Sequence, residues 1–212
     1  MGGPTLRELK KRREIVGPEP ERPRSTYLEW NYEAEIYAFA KRLGEEFDRK
    51  LLKQALIQRE YANMQEFKAQ EKGEPIPDNI HNFEFVQEGD KIITEYIIQE
   101  YNKSYPDDVV NAVKQYLSSD DMLSHVAKHI GLKDIILTNE FPVANETLSN
   151  TFKAVVAALN HSKGIERAQL FVKDFVISQM NGKDVYEIWD PKDPYGYLTK
   201  LLSDRGVKRG GA

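Results

Sequence analysis

The chain has 212 residues, of which 40% are hydrophobic and 30% are charged, a composition typical of a globular protein with an apolar core. Because it contains no cysteine, disulfides, thiolate catalysis and cysteine-based zinc sites are excluded. No apolar run approaches the roughly 20 residues that a membrane helix needs. The net charge of −4 also excludes a chain that is basic throughout.

Charge is distributed unevenly along the chain. Residues 1–29 carry a net charge of +2, and the remainder carries −6. The segment 5–14 is interpreted as a short basic helix or a disordered arm, followed by a proline-rich linker over 17–25. If RNA is a partner, the phosphate contacts are expected from the basic residues of this arm, whereas the alternative is a solvated helical tail. The basic residues are Arg7, Lys10, Lys11, Arg12 and Arg13.

Amphipathic helices are predicted from near residue 30 onward. The first ends at Gly44, the second is capped by Asp48, and an exposed helix followed by a loop is expected within 58–79. A long helix is predicted over 83–101 because its apolar residues recur at intervals of three and four. Two more are predicted, one with Pro106 at its first position and one that begins at Ser119 and ends at Gly131.

The helix predicted over about 147–160 is expected to be buried and central. Phe152, Val155, Val156 and Leu159 form one apolar face, and three alanines at 154, 157 and 158 allow another helix to approach closely. Either Asn145 or Thr147 is expected to cap it.

Three helices are predicted after this one, over 165–180, over 185–189 and in a last stretch to about 205. No strand alternation is evident, so the predicted fold is all-α with eight or nine helices. One domain is predicted over residues 30–205, preceded by a basic, proline-rich extension over 1–29 and followed by a flexible tail over 206–212.

His125 and His129 are four residues apart and can share a helix face. Two histidines hold a metal only with further ligands, and the sequence around them lacks those of a zinc protease. Packing or solvation is therefore the favoured interpretation of both, and no metal or other cofactor is expected.

Two segments resemble the signature helices of the ribonuclease III family. The segment 151–159 (TFKAVVAAL) resembles the second signature, A-D-x-x-E-A-L-I-G-A-I-Y. The segment 83–93 (FEFVQEGDKII), anchored on Gly89-Asp90, resembles the first, E-R-L-E-F-L-G-D-A-V-L. The resemblance implies a ribonuclease III endonuclease-domain-like helical bundle.

The chain is more closely similar to a ribonuclease III-like family of the mitochondrial large ribosomal subunit, the mitochondrial ribosomal protein forty-four family. The similarity is carried by WNYEAEIYAF (30–39), EFPV (140–143) and FVISQMNGK (175–183). It implies a ribosomal location in the mitochondrial matrix, ribosomal RNA and mitochondrial ribosomal proteins as partners, and no membrane. Because the chain ends at Ala212, we expect a ribonuclease III domain without the C-terminal double-stranded-RNA-binding domain common in that family.

The resemblance also locates where this chain departs from active enzymes. Those enzymes bind divalent metal with four carboxylates, two from each signature helix. Here the four matching positions are Phe83, Asp90, Asn150 and Lys153, so one carboxylate is left and a cation is added. Lys153 is expected to pair with Asp90 or to meet a phosphate.

The prediction is therefore a catalytically inactive, structural constituent of the mitochondrial large ribosomal subunit, with no catalytic and no metal-binding residues. It is expected to retain the dimer face of the ribonuclease III family and to form a homo- or heterodimer. The alternative is an active metal-dependent double-stranded-RNA endonuclease of that family. An RNA-processing or assembly adaptor outside the ribosome is a third hypothesis.

Overall fold

A computed structural model describes residues 3–17, 21–189 and 194–204. Within them the chain forms eleven α-helices and no named strand, which confirms the predicted all-α fold. The helices are α1 (Gly3–Val16), α2 (Tyr32–Leu43), α3 (Arg49–Leu56), α4 (Arg59–Lys72), α5 (Phe83–Tyr101), α6 (Asp107–Leu117), α7 (Asp120–His129), α8 (Asn145–Lys163), α9 (Ile165–Phe175), α10 (Val185–Ile188) and α11 (Pro194–Asp204).

Several helix ends lie where their capping residues predict them. The Asp48 carboxylate accepts hydrogen bonds from the amides of the first two residues of α3 after Arg49, and Ser119 accepts from the amide of Met122 in α7. Gly44 ends α2 in the left-handed conformation, with φ of 68°. The predictions for these three helices are confirmed because short-range chemistry determines their ends.

Helix α8 is the centre of the fold, as predicted, and it packs against α3, α5, α7 and α9. All four residues of its predicted apolar face are fully buried. The alanines at 154, 157 and 158 are buried too, so small side chains line the faces on which neighbouring helices pack.

The contact between α5 and α8 depends on Gly89. A Cβ atom added to this residue would lie 1.8 Å from the backbone carbonyl oxygen of Lys153. No side chain fits there, so Gly89 allows the two helices that carry the signature positions to touch along their backbones.

Two predicted helix boundaries are wrong. Helix α8 begins at Asn145 after Ala144, with no side-chain cap, because the two expected capping residues bond elsewhere: Lys128 donates to Asn145 (2.6 Å) and Thr147 donates to Glu140 (2.8 Å). Helix α9 ends at Phe175 rather than near 180 and is followed by a 3₁₀ turn over Ile177–Met180.

The other boundary errors are small. Pro106 is the N-cap residue of α6 and not its first helical residue. A single parallel bridge joins Ile57 to Leu137, outside any strand. None of the helices in the described ranges is both long and apolar enough to cross a bilayer.

Candidate functional site

The four positions that match the signature carboxylates lie on α5 and α8. Lys153 Nζ lies 3.0 Å from Asp90 Oδ1, so the retained carboxylate forms an ion pair with the cation that replaces a second one. The Lys153 side chain is only 13% exposed, whereas the Asp90 side chain is 47% exposed. The structure therefore records the first of the two partners expected for Lys153, with its stem buried and its ammonium at the rim.

The remaining two positions add no negative charge. Phe83, the first residue of α5, is 46% exposed, and the Arg59 guanidinium lies 5.5 Å from the centre of its ring. Asn150 is partly buried on α8, three residues before Lys153. The formal charge of the four positions is zero, and the side chain of Arg59 adds a cation beside Phe83.

Neighbouring acids do not complete the site. Glu88 accepts hydrogen bonds from Asn160 (2.9 Å) and approaches the His161 ring nitrogen (2.7 Å), two turns beyond Lys153 along α8. Within the described ranges no group of three or more His, Cys, Asp or Glu side chains is placed to hold a metal ion. The residues present therefore do not fit the carboxylate-rich centre of the active enzymes.

The basic residues of the arm lie on α1, whose side chains from residue 5 onward are exposed. Of the two hypotheses for this segment, a helix or a disordered arm, the structure shows the helix. Its recorded ion pairs are internal, Lys10 with Glu14 and Arg12 with Glu8, both at 4.0 Å. Such exposed ion pairs contribute little to stability.

His125 and His129 lie on one face of α7, as their spacing predicts. Their ring centres are 4.1 Å apart, and His129 Nδ1 lies 2.8 Å from the carbonyl oxygen of His125. This contact orients His129 along the end of its own helix.

A cavity of about 630 Å³, which was not predicted from the sequence, lies between the segment 21–30 and the chain from Lys128 to Leu148. Its lining brings together aromatic and basic side chains that are more than 100 residues apart in sequence. The interleaved Arg22, Arg24, Tyr27 and Trp30 were a signal for it, but the facing residues could not be assigned without the fold.

The helical arrangement around α5 and α8 is that of a ribonuclease III nuclease domain. Two solved structures of the nuclease domain of ribonuclease III from Campylobacter jejuni share it. One has a TM-score of 0.55 at 17% identity, covering 68% of this chain and 96% of that one. The other has a TM-score of 0.53 at 19% identity, covering 70% and 97%.

Within that fold class, the chain belongs to the family of the large ribosomal subunit protein mL44, endonuclease domain, whose family model matches residues 31–159. The chain is also 28% identical over 212 residues to the large ribosomal subunit protein mL44 of Caenorhabditis elegans. That match covers 95% of this chain but 52% of the relative, so the chain spans about half of the relative's length. The resemblance identified from the sequence is confirmed.

Proposed function

We propose that this chain is a structural constituent of the mitochondrial large ribosomal subunit, located in the matrix. Its domain over 30–205 would be a catalytically inactive ribonuclease III-like domain that binds ribosomal RNA and neighbouring ribosomal proteins. Family membership supports this proposal, as does the name of the Caenorhabditis elegans relative, large ribosomal subunit protein mL44.

The proposal that the domain is catalytically inactive rests on the ion pair between Lys153 and Asp90, at 3.0 Å. Two-metal phosphoryl transfer needs several carboxylates around ions that activate water and stabilise the developing charge. Here the one retained carboxylate is already neutralised by a cation of the same chain. The domain keeps the helix packing of the enzyme fold and loses the charge that concentrates metal.

A cleavage assay tests whether the domain lacks nuclease activity. Purified chain is incubated with blunt-ended duplex RNA in Mg²⁺ and, separately, in Mn²⁺, and we expect the duplex to stay intact in both. The alternative, an active endonuclease, predicts metal-dependent cleavage that disappears in Asp90→Ala. Cleavage with that dependence would contradict the proposal.

Ribosomal RNA would be contacted through α1, in the extension 1–29. Its five basic side chains outnumber two acidic ones, and the helix is exposed from residue 5 onward. Each phosphate neutralised contributes to the salt dependence of binding. Replacing all five basic residues by glutamine should flatten the slope of log Kd against log salt by about 3–4. The residues are Arg7, Lys10, Lys11, Arg12 and Arg13.

A control variant with the same loss of charge distinguishes an effect of the arm itself from an effect of net charge. Five exposed lysines of the globular part are replaced by glutamine instead, and the slope should change little. Equal changes in both variants would show that α1 is not the RNA contact. The control residues are Lys50, Lys68, Lys72, Lys91 and Lys173.

A dimer with a second ribonuclease III-type domain, in a copy of this chain or another ribosomal protein, is part of the proposal. It is supported by exposed apolar side chains on α4 and on the segment leading into α5, where Asn79 bonds to Asn63 (3.3 Å) and Glu66 (3.2 Å). One Campylobacter jejuni study describes a region of its nuclease domain involved in dimer formation. The apolar residues are Met64, Phe67, Ile76, Ile80 and Phe83.

Sedimentation velocity of the chain alone tests the homodimer. A dimer should dissociate in Phe67→Asp and persist in Tyr37→Asp, which changes an equally exposed aromatic on α2. A monomer at all concentrations leaves only the heterodimer, whose test is co-purification of a second ribonuclease III-type protein.

A further inference from the structure

The cavity of about 630 Å³ lies on a different part of the molecule from the Asp90–Lys153 pair. Neither residue of that pair lines it. Its volume is in the range of roughly 300–1,000 Å³ that is typical of pockets for small organic groups. Its walls come from the segment before α2 and from the connection between α7 and α8.

Four aromatic side chains line this cavity: Tyr27, Trp30, Tyr61 and Phe141. Tyr27 and Phe141 are 45% and 48% exposed, so part of each ring is accessible. The Trp30 ring packs against that of Tyr32, with centroids 5.4 Å apart, which fixes the indole in place. Accessible aromatic faces on a fixed support are suited to stacking with unpaired bases.

Charged side chains of both signs line the cavity. Lys128 and Lys133 are exposed, and Arg22 lies over the Tyr27 ring at 4.4 Å. Arg24 is engaged by Glu35 at 3.0 Å and anchors the segment to α2. The four basic lining residues exceed the three acidic ones by a single charge, so the exposed lysines can meet phosphate while acids and amides accept from a base edge. The acidic residues are Glu21, Asp134 and Glu140.

We infer that this cavity binds one unstacked nucleotide of single-stranded RNA, with the base among the aromatic rings and its phosphate at Lys128 and Lys133. The inference rests on the proposed function in that ribosomal RNA would supply the strand. It differs from recognition of a duplex, because a paired base has no free faces to place between the rings. A peptide segment of a neighbouring protein would not need the two exposed lysines.

Tryptophan fluorescence reports on binding in this cavity directly, because Trp30 lines it. The chain has two tryptophans, so Trp189→Phe leaves Trp30 as the only one. This variant is titrated with an unstructured RNA octamer of mixed sequence, a blunt-ended duplex of that strand, and uridine monophosphate. We expect saturable quenching by the octamer at concentrations where the duplex and the mononucleotide have no effect.

Variants of the lining locate the binding. Phe141→Ala and Tyr27→Ala should each weaken binding of the octamer about 5- to 150-fold, the range for loss of one stacking partner. Tyr37→Ala, which removes an aromatic of 66% exposure outside the cavity, should have no effect. Anisotropy of a labelled octamer with the wild-type chain repeats the measurement without the tryptophan substitution.

Three outcomes would overturn the inference: equal quenching of Trp30 by octamer and duplex, equal quenching by the mononucleotide, or unchanged affinity for the octamer in both lining variants. A cavity that binds a peptide and not RNA gives no response to the octamer and has the same consequence. Failure of the proposed function is distinguishable, because it appears as absence of the wild-type chain from large subunits whatever the octamer does.

Discussion

Rebuilding the carboxylate set should restore metal binding to this fold. The triple variant Phe83→Glu, Asn150→Asp and Lys153→Glu, together with Asp90, has the four acids of the signature positions. Gly89 keeps α5 against the backbone of α8, so the acids would be presented by the same two helices. We expect Mn²⁺ to bind this variant and not the wild type.

The largest single effect comes from Lys153. A divalent ion bound about 2.1 Å from Asp90 Oδ1 would lie at most about 5 Å from Nζ, because the ion pair measures 3.0 Å. At an effective dielectric of about 20 the repulsion is about 6–7 kcal/mol. Water around the half-exposed Asp90 and salt reduce it to about 2–3 kcal/mol, or about 30- to 150-fold in affinity.

Isothermal titration with Mn²⁺ measures the difference in affinity between the variants and the wild type. Circular dichroism verifies that each variant is folded. Lys163→Glu is the control for the Lys153→Glu substitution alone, because each changes the charge of α8 by the same amount and Lys163 pairs with Glu46 instead. A folded triple variant that binds Mn²⁺ no more tightly than the wild type would refute this prediction, and so would an equal gain of affinity in Lys163→Glu and Lys153→Glu.

Three further predictions concern packing, hydrogen bonding and titration. Gly89→Ala should lower the free energy of unfolding by at least about 3 kcal/mol in urea denaturation, because its Cβ meets the backbone of α8. Thr151→Val should cost about 1–3 kcal/mol in the same assay, because the buried Gln58 amide loses its acceptor at 2.9 Å. Hydrogen bonds from Lys53 and, to a smaller extent, Arg49 hold the pKa of Glu33 below its ordinary value. The stabilisation that these bonds provide is therefore present above the pKa of Glu33 in the unfolded chain and is lost as the pH falls through its pKa in the folded chain. Lys53→Gln should raise the pKa of Glu33 in a carbon-detected NMR titration.

Each of these has a matched control. Gly44→Ala has open space around the new Cβ and should cost only about 1–2 kcal/mol, from its left-handed backbone. Thr94→Val removes a hydroxyl that bonds only within its own helix, so its effect should stay near zero. Lys103→Gln should raise the pKa of Glu100 and leave that of Glu33 unchanged. Equal responses of variant and control would contradict the stated reason in each case.

The fold was predictable where neighbouring residues determine it. Helix α5 begins and ends at the predicted residues, since its apolar spacing continues without a break. Helix α8 was predicted as central because its apolar face and alanines are visible in one stretch of sequence. Its beginning was not, since the partners of Asn145 and Thr147 are Lys128 and Glu140, which only the folded chain brings close.

The end of α9 shows the same limit. The predicted helix continued through Val176 because apolar residues recur there, but the structure turns into a 3₁₀ segment. Ser178 donates to the carbonyl oxygen of Asp174 (2.6 Å), and Gln179 donates to that of Phe175 (3.1 Å). These side chains satisfy the last carbonyls of the helix, a competition that periodicity does not reveal.

The candidate site was partly accessible from sequence. Matching two signature helices placed Asp90 opposite Lys153, and the ion pair is present. The role of Glu88 at Asn160 and His161 was not predicted, because it depends on how the two helices cross. The cavity was missed for a related reason, since its two walls are joined only by the tertiary fold.

Gradient fractionation of mitochondrial lysate tests the central claim most directly. The endogenous protein is followed by immunoblotting across a sucrose gradient in which the large subunit is marked by its ribosomal RNA. We expect the protein to sediment with the large subunit, and to remain with the large-subunit RNA when removal of Mg²⁺ separates whole ribosomes into subunits. Recovery of the protein only in ribosome-free fractions would contradict it.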